Sequence, residues 1–147
     1  MAGFEYVLNQ DARLLFVDDD PILREFAQVN LSSPTVCVDL ASNGGEALDL
    51  LEAGNYDAML LDLEMPVLNG FDTLAHVRND ARCEHLAVIV QTGREDVAAI
   101  DEAFRLGATS FVTKPLNWRL LSYQIRFIIR ASRAEADLRY AAQKKRA

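Results

Sequence analysis

At 147 residues, half of them apolar and a quarter charged, the chain has material for one domain with a buried core and too little for two of ordinary size. A formal net charge of −7 argues against a nucleic-acid binder, which needs a basic face. No apolar run reaches the ~18 residues of a membrane span, and Met1 to Ala12 lacks the basic-then-apolar layout of a signal peptide.

Residues 1–12 read as a short tail. Leu14–Val17 is the first strand, closed by Asp18 and Asp19. Asp20 before Pro21 is an N-cap followed by proline at the first helical position. The helix that follows has Ile22, Phe26 and Val29 on one face. Val36–Val38 is the second strand, and Asn43 with Glu46 forms a capping box with Asn in place of Ser or Thr. The second helix carries Ala47, Leu48 and Leu51 and is expected to end in a left-handed cap at Gly54. Ala58–Leu61 is the third strand, with Phe71, Leu74 and Ala75 on the next helix. Leu86–Val90 is the fourth, with Val97, Ile100 and Phe104 behind it, then a second left-handed cap at Gly107 and a fifth strand, Ser110–Val112. The strands are near-continuously apolar, not alternating, which suits a sheet covered on both faces. The alternation of strands and helices predicts an α/β fold, a doubly wound parallel sheet with right-handed crossovers. Cys37 and Cys83 make no C-x-x-C pair and read as reduced, packed thiols in a cytosolic protein.

In a doubly wound sheet ligands bind beyond the carboxyl ends of the strands. Asp18 and Asp19 stand at the end of the first strand, Asp62 at the third, Thr92 followed by Gly93 at the fourth, and Lys114 followed by Pro115 at the fifth. Taken one at a time these are ordinary: a cap, loop acids, a capping hydroxyl, a loop lysine. Their fall at equivalent ends of one sheet is not easily accidental. Three carboxylates crowded together repel, and burying them unpaired is costly. A hard divalent cation resolves this, and an oxygen-only set with few protein ligands suits Mg²⁺. A metal-bound carboxylate beside a lysine and a hydroxyl is a receptor for a phosphoryl group, the metal and ammonium neutralising the equatorial oxygens while the carboxylate attacks in line. Gly93 leaves room for a donor, or for water. Asp18 to Pro21 lacks the glycine and distal glutamate of an EF-hand loop, and no P-loop or G-x-G-x-x-G is present.

Four segments resemble the receiver family of two-component signalling: Leu-Leu-Phe-Val-Asp18-Asp19-Asp20-Pro, Leu-Leu-Asp62-Leu-Glu-Met-Pro-Val-Leu-Asn-Gly70, Val-Ile-Val-Gln-Thr92-Gly, and Gly107-Ala-Thr-Ser-Phe111-Val-Thr-Lys114-Pro115. The resemblance covers about residues 13–130. It implies a flavodoxin-like (βα)5 sheet in the order 2-1-3-4-5 and a phosphoryl group received from a histidine kinase or a histidine phosphotransfer protein. It further implies that Asp62 is the phosphoacceptor, that Asp19 ligates Mg²⁺ directly and Asp18 through water, and that Glu64 ligates through its backbone carbonyl. Lys114 is then the partner of the acyl phosphate and Lys114-Pro115 a cis peptide bond. Thr92 and Phe111 match the switch pair that moves the α4–β5–α5 face. Gly93 stands where alanine is frequent, Phe111 lacks the tyrosine hydroxyl of many members, and Glu64 puts an acid near the path of hydrolytic water.

A receiver of residues 13–131 would leave residues 132–147 as a helical extension, a possible coiled-coil linker to an output domain. Leu121, Ile125 and Ile128 share one face; a second stripe, Leu120, Gln124, Phe127, Ala131, Ala134, Leu138 and Ala141, has 3-4 spacing and predicts a weak homodimer seam. Residues 117–147 are basic, with Arg126, Arg130, Arg133, Arg139 and Lys144 among their charges, and read as a solvated helix with a basic end and not a nucleic-acid site. The expected activity is that of a cytoplasmic signalling switch, not an enzyme with a separate substrate. The competing readings are a pseudo-receiver, which the complete set of acids, hydroxyl and lysine opposes, and an aspartyl phosphatase of the haloacid dehalogenase class. The second lacks its Asp-x-Asp, since Asp62 is followed two residues on by Glu64.

Overall fold

A computed structural model describes residues 6–65, 67–93 and 97–146. Five parallel strands, β1 (Ala12–Val17), β2 (Val36–Ala41), β3 (Ala58–Asp62), β4 (Ala87–Thr92) and β5 (Ser110–Thr113), form one sheet in the order 2-1-3-4-5. Between and after them lie α1 (Pro21–Leu31), α2 (Gly44–Ala53), α3 (Gly70–Asn79), α4 (Val97–Arg105) and α5 (Trp118–Arg146), with a 3-10 turn at Ala81–Cys83. This is the doubly wound sheet that the alternation predicts, in the flavodoxin-like order that the resemblance implies. Strand residues alternate between two layers. Leu14, Phe16, Leu60 and Ile89 pack against α1 and α5, whereas Leu15, Val17, Leu61 and Val90 pack against α2, α3 and α4. Both faces being covered is why the strands read as unbroken apolar runs, each fully buried Leu or Ile contributing about 1.5–3 kcal/mol.

The helices start where their caps place them. Asp20 Oδ1 accepts from Ile22 N at 2.9 Å, Asn43 Oδ1 from Glu46 N at 2.9 Å, and Asn69 Oδ1 from Asp72 N at 2.9 Å. The reciprocal arm of the capping box is displaced by one residue: Glu46 accepts from the Ser42 N–H at 3.0 Å and the Ser42 hydroxyl at 2.6 Å, not from Asn43. Gly107 has the expected left-handed backbone, φ +107°, but Gly54 is extended at φ −154°. α2 therefore ends without a left-handed cap, and the absent Cβ at Gly54 leaves room for the Arg13 guanidinium, whose Nη1 would lie 3.1 Å from it.

Several expectations of facing are corrected. Ile22, Phe26 and Val29 are 61%, 51% and 73% exposed, and α1 buries Ala27 and Leu31 instead. The two stripes lie one residue, or about 100°, apart on the helix, and the direction of the β1–α1 connection selects between them. On α4 Ala103 is buried while Val97 and Phe104 stay exposed, and on α5 the buried face is Leu121, Ile125 and Ile129, with Ile128 half-buried. Cys83 is packed but Cys37 is exposed on edge strand β2. The reach of the tail is shorter than residues 1–12: Leu8 is buried in the α1–α5 layer, Asn9 O accepts from the Thr35 hydroxyl at 2.9 Å, and Ala12 already belongs to β1.

α5 runs on as one helix to Arg146. Its first surplus turns are fastened to the domain by Arg133, which donates to Asp11 O at 2.6 Å and lies 3.2 Å from Asp57 Oδ1. Among the described residues no helix is long and apolar enough to cross a membrane.

Val67, in the connection from β3 to α3, is the one non-glycine residue with positive φ among those described, at +71°, and is 94% exposed. A β-branched side chain pays about 1–2 kcal/mol in this region, where Asn is far better tolerated. Val67→Asn is expected to raise the urea midpoint, by about 1 kcal/mol of stability, with an unchanged m-value. Three residues on, Gly70→Ala acts the other way. Its Cβ would strike Asp62 O and lie 2.6 Å from Leu63 Cα.

Candidate functional site

The carboxyl ends of β1, β3 and β5 bring Asp18, Asp62 and Lys114 together. Asp18 and Asp62 are buried, at 0% and 3% exposure. Lys114 Nζ lies 2.8 Å from Asp18 Oδ2 and 3.3 Å from Asp62 Oδ2. The Lys114-Pro115 peptide bond that follows β5 is cis, and Lys114 N donates to Thr92 O at 2.8 Å. Asp18 Oδ1 accepts from Asp20 N at 2.9 Å, and Asp62 Oδ1 from Glu64 N at 3.1 Å. Glu64 therefore enters the site through its main chain, with its side chain exposed.

One ammonium does not offset two buried acids. Burial, and then the charge of Asp18, push Asp62 up from 3.8 to about 6, against the lowering effects of the Glu64 N–H and of Lys114. On Lys114 burial is the largest single influence and works downward. The hydrogen bond to Asp18 and the charges of Asp62 and Asp18 outweigh it and leave the amine above its ordinary value.

Asp19, exposed, completes a group in which one carboxylate oxygen each from Asp18, Asp19 and Asp62 lie within 4.8 Å of one another. The surplus negative charge and the all-oxygen donor set fit a hard divalent cation such as Mg²⁺. Gly93 is exposed, and a Cβ there would meet nothing within 4 Å, so the approach to the acids from β4 is open. Thr92 is buried at the end of β4, whereas Phe111 is 41% exposed, its ring edge-on to Phe104 at 6.2 Å between centroids. Arg94, Glu95 and Asp96, which follow Gly93, lie outside the described residues.

Two participants were missed in the sequence. Arg24 on α1 donates to Asp18 O at 2.8 Å, fixing the turn that carries the acids; nothing in its spacing from Asp18 marks it. Gln91 is fully buried beside Asp62, and among the described residues neither its Nε2 nor its Oε1 has a partner. A legible signal existed there: it is the one amide in the otherwise apolar run Ala87 to Val90 that leads to Thr92.

A sequence model described as the response regulator receiver domain matches residues 14–126. The response regulator MprA of Mycobacterium avium is 33% identical over 125 residues, 85% of this chain and 54% of that protein. MprA of Mycobacterium tuberculosis is 32% identical over 84% of this chain and 53% of its own length, so the chain spans about half the length of these curated relatives. Among solved structures, the chemotaxis protein CheY4 of Vibrio cholerae superposes with a TM-score of 0.76 at 26% identity, covering 80% of this chain and 98% of that one. A receiver domain from Methanospirillum hungatei, at 24% identity, shares the fold with a TM-score of 0.79, covering 84% and 98%.

The raised Asp62 value has a signed consequence for stability. Folded Asp62 holds its proton up to about pH 6, whereas the unfolded chain releases it near 3.8. The metal-free protein therefore loses stability from this group as pH rises between those values. Asp62→Asn is expected to raise the metal-free melting temperature at about pH 7.5, by on the order of 2 kcal/mol, with the gain fading toward about pH 4. Thermal unfolding of both proteins in chelator across that range measures it.

Proposed function

The chain belongs to the response regulator receiver domain family, and on that premise we propose that Asp62 accepts a phosphoryl group from a histidine kinase or a histidine phosphotransfer protein. The observation that carries this is the pairing of buried Asp62 with Lys114 beside Asp18 and Asp19. Receiver domains as a family work with such donors and with Mg²⁺. Here Asp18, Asp19, Asp62 and the backbone carbonyl of Glu64 would hold the ion, which supplies positive charge to offset the oxygens of the phosphoryl group.

The chain's own groups divide the remaining work. An Asp62 oxygen attacks phosphorus in line, and the Glu64 N–H on Oδ1 orients the carboxylate. Lys114 offsets charge on the phosphoryl oxygens, because its ammonium is already held within 3.3 Å of the acceptor. Thr92 offers a hydroxyl from β4, and the open space at Gly93 admits donor or water. Phe111, outward against Phe104, marks the resting position of the switch. Movement of Thr92 toward the phosphoryl group lets the ring turn inward and alters the α4–β5–α5 face, which in turn controls a partner or an output domain.

Leu120, Phe127 and Leu138 are exposed on α5, on the stripe of 3-4 spacing. They support a weak parallel homodimer through this face and the helical extension.

Incubation with acetyl phosphate and Mg²⁺ followed by intact mass is expected to give a single adduct on the wild type and none on Asp62→Asn. An undiminished adduct on the variant would move the acceptor elsewhere; rapid turnover of phosphate esters would instead favour the aspartyl phosphatase. Millimolar Mg²⁺ is expected to raise the melting temperature of the wild type and not of Asp19→Ala, by mass action on the folded state. Sedimentation of the full chain is expected to show concentration-dependent dimers that disappear when the chain is cut after Ala131. Dimers that survive the cut would remove the extension from the interface.

A further inference from the structure

The row of side chains on which Asp62 stands contains one polar group with no task in the scheme above. Phe16, Leu60 and Ile89 face the α1–α5 layer, as does Val112. Two residues further along their strands, Asp18, Asp62 and Gln91 return to that face. Asp62 and Gln91 are register partners, as are Gln91 and Val112. Neighbouring strands lie roughly 4.8 Å apart, so an amide on two methylenes at Gln91 reaches the carboxylate beside it. Val112, on its other side, offers only hydrocarbon. Gln91 is fully buried, and neither end of its amide has a hydrogen-bond partner among the described residues. Buried side-chain amides are nearly always paired, so this one stands beside the acids without the bond its burial calls for.

In the arrangement seen, the oxygens of Asp62 are already served, Oδ1 by the Glu64 N–H at 3.1 Å and Oδ2 by Lys114 at 3.3 Å. We propose that the Gln91 amide is a hydrogen-bond donor to Asp62, engaged when an arriving phosphoryl group draws Lys114 off Oδ2. The proposal rests on Asp62 being the acceptor. The ammonium is the longer and looser of the two partners of Asp62, and Coulomb attraction takes it to the more highly charged phosphoryl oxygens. Gln91 Nε2 then takes its place on the carboxylate.

In loading, an Asp62 oxygen gives an electron pair to phosphorus, and the donor's leaving group keeps the pair of the bond it breaks; with acetyl phosphate the leaving group is acetate. In loss, a water oxygen bonds to phosphorus, the P–O bond to Asp62 breaks with its pair returning to the carboxylate, and the water's protons pass to the released phosphate and solvent. Both transition states carry partial negative charge on the Asp62 carboxylate at a time when Lys114 is occupied elsewhere. A donor already in place there, itself fully buried, stabilises both. The amide is unpaired at rest and paired at the transition state, so it aids the rate while its unpaired burial costs the resting fold.

The test compares the wild type with Gln91→Met, which keeps the length and removes the donor, and with Gln91→Leu as a second variant should the first fail to fold. Each is loaded with acetyl phosphate and Mg²⁺, freed of donor, and followed by intact mass. The expected result is that loading and loss both slow by about ten-fold or more, while the metal-free melting temperature rises and the Mg²⁺ concentration that half-saturates the melting shift stays unchanged. A merely structural role would move the last two together, downward in stability and weaker in Mg²⁺. Wild-type rates in either folded variant, or slowing accompanied by loss of stability and Mg²⁺ binding, would overturn the proposal. A wild type that takes no adduct at all would overturn the acceptor reading first, and this inference with it.

Discussion

Two carboxylates, Asp18 and Asp62, are buried side by side with one ammonium, Lys114, between them and the open solvent. Without the lysine, the ends of β1 and β3 would carry like charges in a medium that screens them poorly. Lys114 comes from a strand 96 residues along the chain from Asp18, so the pairing fastens the first strand to the last across the middle of the sheet. The cis bond at Pro115, the Arg24 hold on Asp18 O and the caps at Asp20 and Asn69 all serve to keep these groups at one edge. The compensation is incomplete by one charge or more once Asp19 is counted. Burial, and after it the charge of Asp18, makes Asp62 resist ionisation, and the surplus negative charge is the reason a hard cation fits.

The same deficit divides the sheet into unequal halves. β1 and β3 supply fixed charge and are buried along their length apart from Arg13. β4 and β5 supply Thr92, Lys114 and Phe111, and the helices next to them carry their apolar side chains to the outside, with Val97 and Phe104 on α4 and Leu120 and Phe127 on α5. The β5 strand is short and at the sheet edge, so it is held by fewer neighbours than β3.

Much of this architecture was legible in the sequence because it rests on chemistry that tolerates few substitutes. Near-continuous apolar runs ending in Asp18, Asp62, Thr92 and Lys114 mark the strand ends, the strand order follows from the resemblance to the receiver family, and the geometry brings Asp18, Asp19, Asp62 and Lys114 together as those ends require. Facing was less legible. On α1, Ile22, Phe26 and Val29 keep helical spacing as faithfully as Leu23, Ala27 and Leu31, and only the path of the connecting turn chooses. Gly54 looked like a left-handed cap because glycine often is one, whereas here its lack of a side chain makes room for Arg13. Leu8 is too isolated in sequence for any pattern to reveal that it is core. The unpaired state of Gln91 depends on which neighbours fail to reach it, which no local pattern encodes.

The clasp of Arg133 on Asp11 and Asp57 fixes more than the root of the extension. An α-helix advances 1.5 Å and turns 100° with each residue, so a helix held at one point against a rigid body has a defined azimuth all the way along. Each residue added beyond Arg133 turns everything that follows by about 100°, whereas a seven-residue addition restores the direction to within roughly 20°. Position past the clasp thus behaves as an angle and not merely a length. Seven-residue changes in that stretch preserve the face presented by Leu138 and Ala141, and single-residue changes turn it away.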